Sequence, residues 1–402
     1  MGSPLADKKI VLGVTGSIAA YKAADLVRRL QERGAEVQVV MTEAAKQFIT
    51  TDTLRTLSGM PVVSDMFAEP AQWRVGHVSQ ASWAQLVLIA PATANTMASL
   101  AHGLANDVLS CLVLSTRAPV AIAPAMDEGM WFHPATQANT ARLVELGYTI
   151  IEPESGPLAS GKSGKGRLAS IEKIVAEAER LVSPQDLAGL HAVVTAGPTR
   201  EMMDAVRFIS NRSSGKMGFC IAESARRRGA RVTLISGPTA LSAPLGMEVH
   251  RAESAAQMYK IVMEKAKGAD LFIGAAAVGD LAPEKASPEK MKRSGPHSLR
   301  LVPTQDIIAK VASLGKGRPK FVVGFAAESA NLMKNAREKL TRKRLDMIVA
   351  NDITQAEGGF GSDFNQASLI LADGTQRALP RMSKLELAEE ILNEVKAQLV
   401  KA

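Results

Sequence analysis

KKIVLGVTGSIAAYKAADLVRRLQERGAEVQVVMT, residues 8–42, decides how the first half of this chain folds. KKIVLGV is an apolar run of strand length, and GVTGS is a glycine turn. AAYKAADLVRRLQERG repeats apolar residues at helical spacing and stops at Gly34. AEVQVVMT is a second buried strand. Strand, turn, helix and strand in succession predict a parallel βαβ unit.

The same alternation continues outward. LVLIAPAT (86–93), VAIAPAM (120–126) and YTIIEP (148–153) are short apolar runs that each end in a loop, followed by the helix IEKIVAEAERLV (171–182). SPQDLAG (183–189) is polar with proline and glycine and reads as a linker. The pattern then restarts with HAVVTAGP (191–198), FCIAESARRRG (219–229) and ARVTLISGP (230–238), followed by LFIGAAAV, KFVVGFAAE and LDMIVAND. The expected architecture is α/β: a doubly wound parallel-sheet domain over 1–182, a linker over 183–189 and a second, Rossmann-like α/β domain over 190–402.

Composition narrows the class. The chain has 402 residues, 46% hydrophobic and 22% charged, as for a globular protein with a sizeable core. No apolar run reaches membrane-spanning length, and MGSPLADKK carries no apolar stretch after its charges, so neither a membrane segment nor secretion is expected. Cys111 and Cys220 lack metal-ligand spacing and read as reduced buried thiols of a cytoplasmic protein. The net charge of +8 comes from scattered basic residues, with only 4% aromatics, so no nucleic-acid platform is visible. Small anionic substrates account for the excess as well.

Two glycine-rich stretches suggest phosphate. GVTGSIAAYK (13–22) lacks the G-x-G-x-x-G of a dinucleotide loop, but Ser17 and the amides at the helix start can hold a phosphate. GPLASGKS (156–163) matches the G-x-x-x-x-G-K-[ST] pattern of a P-loop. A P-loop opens directly into a helix, whereas here Gly164-Lys165-Gly166 follows and the next helix starts only near Ser170, its expected N-cap. The stretch therefore reads as a flap rather than a nucleotide site.

Four segments together are more specific: GVTGSIAAYK, GHVSQASWA (76–84), APATANT (90–96) and PAMDEGMW (124–131). They resemble the flavin-dependent cysteine decarboxylase family. VTAGPTREMMDAVRFISNRSSGKMG (194–218), GAAAVGD (274–280), PEKMKR (288–293), GFAAE (324–328) and ANDITQAEGGFGSDFN (350–365) resemble phosphopantothenate–cysteine ligase. Together the halves resemble the bifunctional phosphopantothenoylcysteine decarboxylase/phosphopantothenate–cysteine ligase family of coenzyme A biosynthesis.

For the first half the resemblance implies a flavodoxin-like fold that binds FMN. Gly16, Ser17, Thr42, Pro91, Ala92, Thr93, Ala94, Asn95 and Met126 match flavin-contacting segments, and His77 matches the catalytic histidine. Two positions depart from the family pattern. Asp127 stands where the family has asparagine, and Ser160 where its flap carries a proton-donating cysteine. An ionised carboxylate cannot donate to a substrate carboxylate and repels it. A hydroxyl is a far weaker acid than a thiol. The expectation is FMN-dependent decarboxylation of 4′-phosphopantothenoylcysteine to 4′-phosphopantetheine beside an active ligase, with this half impaired by Asp127 and Ser160, arrested at the enethiol or kept as a flavin-binding scaffold; the alternative is that water or another acid compensates.

For the second half the resemblance implies that 4′-phosphopantothenate attacks CTP to give an acyl-cytidylate, from which cysteine displaces CMP, with Mg²⁺ shielding the triphosphate. Lys290 is expected to stabilise charge in the first step and Asn211 to act on the acyl-cytidylate. Gly274, Ala275, Ala276, Asp280, Gln305, Asp306, Ile307, Ile308, Phe325, Lys339 and Lys343 match nucleotide-binding positions, with Asp280 the candidate metal ligand. Thr304-Gln305 replaces the family's Asn-Pro before Asp306-Ile307, and VGD replaces its Val-Ala-Asp, changes that bear on nucleotide affinity. The resemblance also implies homo-oligomers, trimers of decarboxylase halves building a dodecamer with paired ligase halves.

Overall fold

A computed structural model describes residues 3–66, 76–292, 298–328, 331–352 and 362–401. The chain divides into two compact units, Met1–Pro184 and Gln185–Ala402.

In the first unit, β1 (Lys9–Val14), β2 (Glu36–Met41), β3 (Leu86–Ala92), β4 (Val120–Pro124) and β5 (Thr149–Ile150) form one parallel sheet in the order β2-β1-β3-β4-β5. This is the flavodoxin-like order, with its switch point between β1 and β3. Helices cover both faces, so the central strands are apolar throughout, and all of Leu86–Ala92 is buried. The helix Ala23–Glu32 buries Leu26, Val27 and Leu30 on one face, and a 3₁₀ turn, Ile18–Lys22, leads into it. β6 (Glu154–Pro157) and β7 (Ser163–Arg167) form a separate antiparallel hairpin before the helix Ile171–Val182.

In the second unit, β8 (His191–Ala196) leads into a short hairpin, β9 (Arg200–Met202) and β10 (Phe208–Ser210). The helix Lys216–Arg227 then returns to β11 (Arg231–Ser236), β12 (Glu248–Arg251) and β13 (Leu271–Gly274). A second small hairpin, β14 (Leu281–Pro283) with β15 (Leu301–Pro303), precedes β16 (Phe321–Glu328) and β17 (Met347–Asp352). After β18 (Phe364–Asn365), the strands β19 (Ala367–Leu371) and β20 (Gln376–Ala378) extend the sheet. The main order is β12-β11-β8-β13-β16-β17-β19-β20. Its first six strands are parallel in Rossmann order, and the last two are antiparallel.

Within the stretch expected as a linker, Leu187 is buried and Asp186 forms an ion pair with Arg228 at 2.8 Å, so residues 185–189 pack as part of the second unit. Ser170 occupies the N-cap position of its helix but does not cap it; its hydroxyl donates to Glu154 Oε1 at 3.0 Å instead. Both cysteines are free and half-buried, and burial pushes the Cys220 thiol up to about 11. Among the described residues no helix is long and apolar enough to cross a membrane.

Candidate functional sites

In the first unit, the loops after β1, β2, β3 and β4 meet at the carboxyl edge of the sheet, where ligands bind in open α/β folds. Gly16 lies in the turn after β1, so close to Ala44 that a Cβ there would come within 2.5 Å of it. Ser17 Oγ accepts from Ala19 N at 3.3 Å and donates to Ala125 O at 3.3 Å, joining the β1 and β4 loops. Thr15 is the hub. Its buried hydroxyl donates to Pro91 O at 2.8 Å and accepts from Thr93 N at 3.0 Å, locking the Pro91–Asn95 loop onto β1. Thr15 stands inside the glycine turn GVTGS, where a lone threonine gives no signal of this role.

Pro91 and Ala92 end β3 and are buried, while Thr93 caps the helix that starts at Ala94, accepting from Thr96 N at 3.3 Å, and Asn95 is exposed. Thr42 Oγ1 is buried and has no hydrogen-bond partner among the described residues. Such an orphan acceptor and donor costs free energy unless a bound group completes it. Together with Ser17 at the start of the 3₁₀ turn, it suits a phosphorylated, hydroxyl-rich cofactor such as FMN. His77 is the second residue of the helix Gly76–Trp83, and its side chain lies outside the described residues.

A cavity of about 510 Å³ opens beside these loops, lined by Ser17, Lys22, Met126, Asp127, Ser160 and Arg167 among others. GPLASGKS forms its wall as the β6–β7 hairpin. Leu158 N donates to Lys162 O at 2.8 Å, and Gly161 turns the chain with φ 79°. The hairpin is seated on the β4 loop through Met126 N to Gly166 O at 2.9 Å and Lys165 N to Glu128 Oε1 at 3.0 Å. Gly166 (φ 157°) is required there, since a Cβ would lie 2.2 Å from Met126 O. No helix starts at GKS, so the P-loop pattern is coincidental.

Asp127 and Ser160, the two residues expected to differ from the family pattern, meet in this cavity. Asp127 caps the helix Glu128–Trp131 with Oδ1, which accepts from Gly129 N at 3.0 Å, and its Oδ2 accepts from Ser160 Oγ at 2.7 Å. The Ser160 hydrogen bond, then the Gly129 amide and the nearby Lys162 charge, hold the Asp127 carboxyl below its ordinary range.

In the second unit several of the candidate residues lie at the carboxyl edge of β8, β13 and β16. Asn211, just past β10, donates through Nδ2 to Ala277 O at 3.2 Å and Val278 O at 3.0 Å, so its carboxamide is fixed against the β13 loop. Ala276 N donates to Thr195 Oγ1 at 3.2 Å, and Gly274 and Ala275 are half-buried beside it. Ile308 packs over Gly274 and Gly324, where a Cβ on either would come within 2.9 Å of its Cδ1. Asp306 caps the helix Ile307–Ala312 and pairs with Lys343 at 2.7 Å. Ile307 is buried in the core under that helix. Lys339 Nζ donates to Phe325 O at 2.8 Å. Gln305, Asp280 and Lys290 are exposed. Among the described residues no three His, Cys, Asp or Glu side chains converge as a metal-ligand set, so Asp280 stands as a single carboxylate.

Comparison with known proteins agrees with both halves. The family described as DNA/pantothenate metabolism flavoprotein C-terminal domain matches residues 187–399, and the family described as Flavoprotein matches residues 2–183. The coenzyme A biosynthesis bifunctional protein CoaBC of Vibrio cholerae is 46% identical over 98% of this chain and 99% of its own. That of Bacillus subtilis is 44% identical over 98% of each. A solved C-terminal domain of a CoaBC protein, 37% identical, covers 54% of this chain and 100% of its own with a TM-score of 0.47. On the near full-length identity and the two matching domains, this chain belongs to the family of coenzyme A biosynthesis bifunctional proteins.

Proposed function

We propose that the second unit joins 4′-phosphopantothenate to cysteine through an acyl-cytidylate formed from CTP, and that the first unit binds FMN and decarboxylates the resulting 4′-phosphopantothenoylcysteine slowly. What supports the ligase reading is the clustering of Asn211, the Gly274–Ala276 loop, Asp306, Phe325, Lys339 and Lys343 at one edge of six parallel strands. Lys339 and Lys343 bring two cations to that edge, which suits a triphosphate. Lys290 would neutralise charge as the substrate carboxylate attacks the α-phosphate and pyrophosphate leaves. Asn211 would hold the acyl-cytidylate while the cysteine amine displaces CMP. Asp280 would take a Mg²⁺ ion that is otherwise held by phosphates and water.

In the first unit Ser17, Thr42 and the Pro91–Asn95 loop would hold FMN. When bound, FMN supplies the redox chemistry of the decarboxylation. The chain's own residues would then limit the reaction. Asp127 is anionic at neutral pH and faces the substrate carboxylate with like charge. Ser160 gives its hydroxyl proton to Asp127 in a hydrogen bond, so it is a poor donor to the carbon left after carbon dioxide departs. A scaffold role for this half is the limiting case of the same reading. Cytoplasmic location and homo-oligomerisation belong to the proposal as well. Absorbance of the purified protein tests the flavin, and CTP-dependent pyrophosphate release with 4′-phosphopantothenate tests the ligase. A colourless protein, or no release, would overturn the corresponding half.

A further inference from the structure

Asp204 lies in the turn between β9 and β10 and is about 1% exposed. A buried carboxylate needs a full set of donors, and here its two oxygens divide the work. Oδ1 accepts from Val206 N and Arg207 N, each at 2.7 Å, which closes its own turn. Oδ2 accepts from Met291 N at 3.1 Å and from Arg207 Nη1 at 3.2 Å. Arg207 Nη1 also donates to Met291 O at 3.3 Å, so both backbone groups of Met291 are held. In the same turn, Met203 O accepts from Ser287 N at 2.9 Å. The segment from Ser287 to Met291 is therefore pinned at both ends to the turn that precedes Asn211.

Lys290 lies between those pins, next to Met291, and it is exposed with no hydrogen bond or ion pair among the described residues. An exposed lysine has many rotamers, and fixing the backbone on which it stands is what limits where its ammonium can reach. We infer that Asp204 is a positioning residue for the activation step: its Oδ2 holds the Lys290 segment against the β9–β10 turn while its Oδ1 independently holds that turn, which leads to Asn211. The inference rests on the role proposed above for Lys290. Burial pushes the Asp204 carboxyl up, but the amides of Val206, Arg207 and Met291 and the Arg207 charge outweigh burial and hold it below its ordinary range. It is thus an acceptor on both oxygens at working pH.

The division between the oxygens makes a selective test possible. In Asp204→Asn, a carboxamide oxygen kept toward Val206 and Arg207 preserves the turn. Its NH₂ then faces the Met291 N–H, donor against donor, and the tether breaks. Acyl-cytidylate formation would be followed by rapid-quench mass spectrometry without cysteine. Its capture by cysteine would be followed separately. Hydrogen exchange at the Met291 amide would report the tether itself.

The expected result is about tenfold slower activation, faster exchange at Met291 and unchanged capture by cysteine. Equal slowing of both steps would mark a general structural role and overturn the inference, as would wild-type activation. Asp204→Ser, short enough to serve the turn but not Met291, carries the same test if the asparagine variant does not fold. Lys290→Gln is measured alongside. Loss of activation in Lys290→Gln with none in Asp204→Asn defeats this inference alone, whereas normal activation in Lys290→Gln defeats the role of Lys290 itself.

Discussion

Ser160 Oγ donates to Asp127 Oδ2 at 2.7 Å, joining the tip of the hairpin that walls the first cavity to the helix cap at its base. The two positions stand 33 residues apart in the sequence, yet in the folded chain they form one interaction. Removing the hydroxyl should affect both. In Ser160→Ala the Asp127 carboxyl is expected to titrate higher, toward the ordinary carboxylate value, because its largest stabilising partner is gone. Exchange at the Leu158–Lys162 turn should rise. Carbon-detected NMR titration of the aspartates checks the first, and an unchanged Asp127 midpoint would contradict the pairing.

Thr15 predicts a link between stability and cofactor retention. Thr15→Val keeps the shape but removes the hydroxyl that serves Pro91 O and Thr93 N. Leaving such groups unpaired costs about 1–3 kcal/mol. The variant should melt earlier and lose flavin on gel filtration, read as a fall in the ratio of visible to 280 nm absorbance. Wild-type retention would mean that the Pro91–Asn95 loop does not depend on this hub.

Asp186 predicts an acid limb in the stability of the second unit. The Arg228 guanidinium, 6% exposed, and Lys396 draw the carboxyl down from 3.8 to about 2, against the opposing effect of its own burial. A depressed folded value contributes stability that is complete above about pH 4 and is lost as pH falls toward 2. With partial solvent screening the contribution is about 1–2 kcal/mol. Asp186→Asn should melt earlier at pH 7 and show a flatter melting profile between pH 4 and 2. Parallel profiles for the two proteins would contradict the assignment.

Asn211 and Lys290 predict separate blocks. Lys290→Gln should abolish acyl-cytidylate formation by about 10²–10³-fold, the scale of losing one charge stabiliser. Asn211→Asp should let the intermediate form and accumulate, because the carboxylate cannot donate to Ala277 O and Val278 O as the amide does. Mass spectrometry of quenched reactions distinguishes the two, and identical intermediate levels would show that the roles are misassigned.

The backbone of both units was legible because buried parallel strands are unbroken apolar runs. KKIVLGV, AEVQVVMT and LVLIAPAT emerge as β1, β2 and β3, and IEKIVAEAERLV spans the same residues as its helix. The antiparallel hairpins were not legible as strands. GPLASGKSGKGR alternates small and polar residues with no apolar face, so its structure comes from tertiary seating on Met126–Glu128. The sites were half legible. Glycine turns and the PATANT loop announce themselves, since loops at strand ends need those residue types. Asp204 does not: its partner Met291 lies 87 residues away, and no local pattern encodes that distance. Likewise Asp127 and Ser160 were each visible, but their hydrogen bond across 33 residues was not.

On the proposed reading, one chain ligates with CTP but carries a decarboxylase half slowed by Asp127 and Ser160. The direct measurement supplies 4′-phosphopantothenate, CTP and cysteine to the wild-type protein and to the double variant Asp127→Asn/Ser160→Cys, and follows both products by mass spectrometry. Wild type should accumulate 4′-phosphopantothenoylcysteine. The double variant should convert it to 4′-phosphopantetheine about 10²–10⁴-fold faster, the scale of restoring a positioned general acid. Equal decarboxylation by the two proteins would contradict the account.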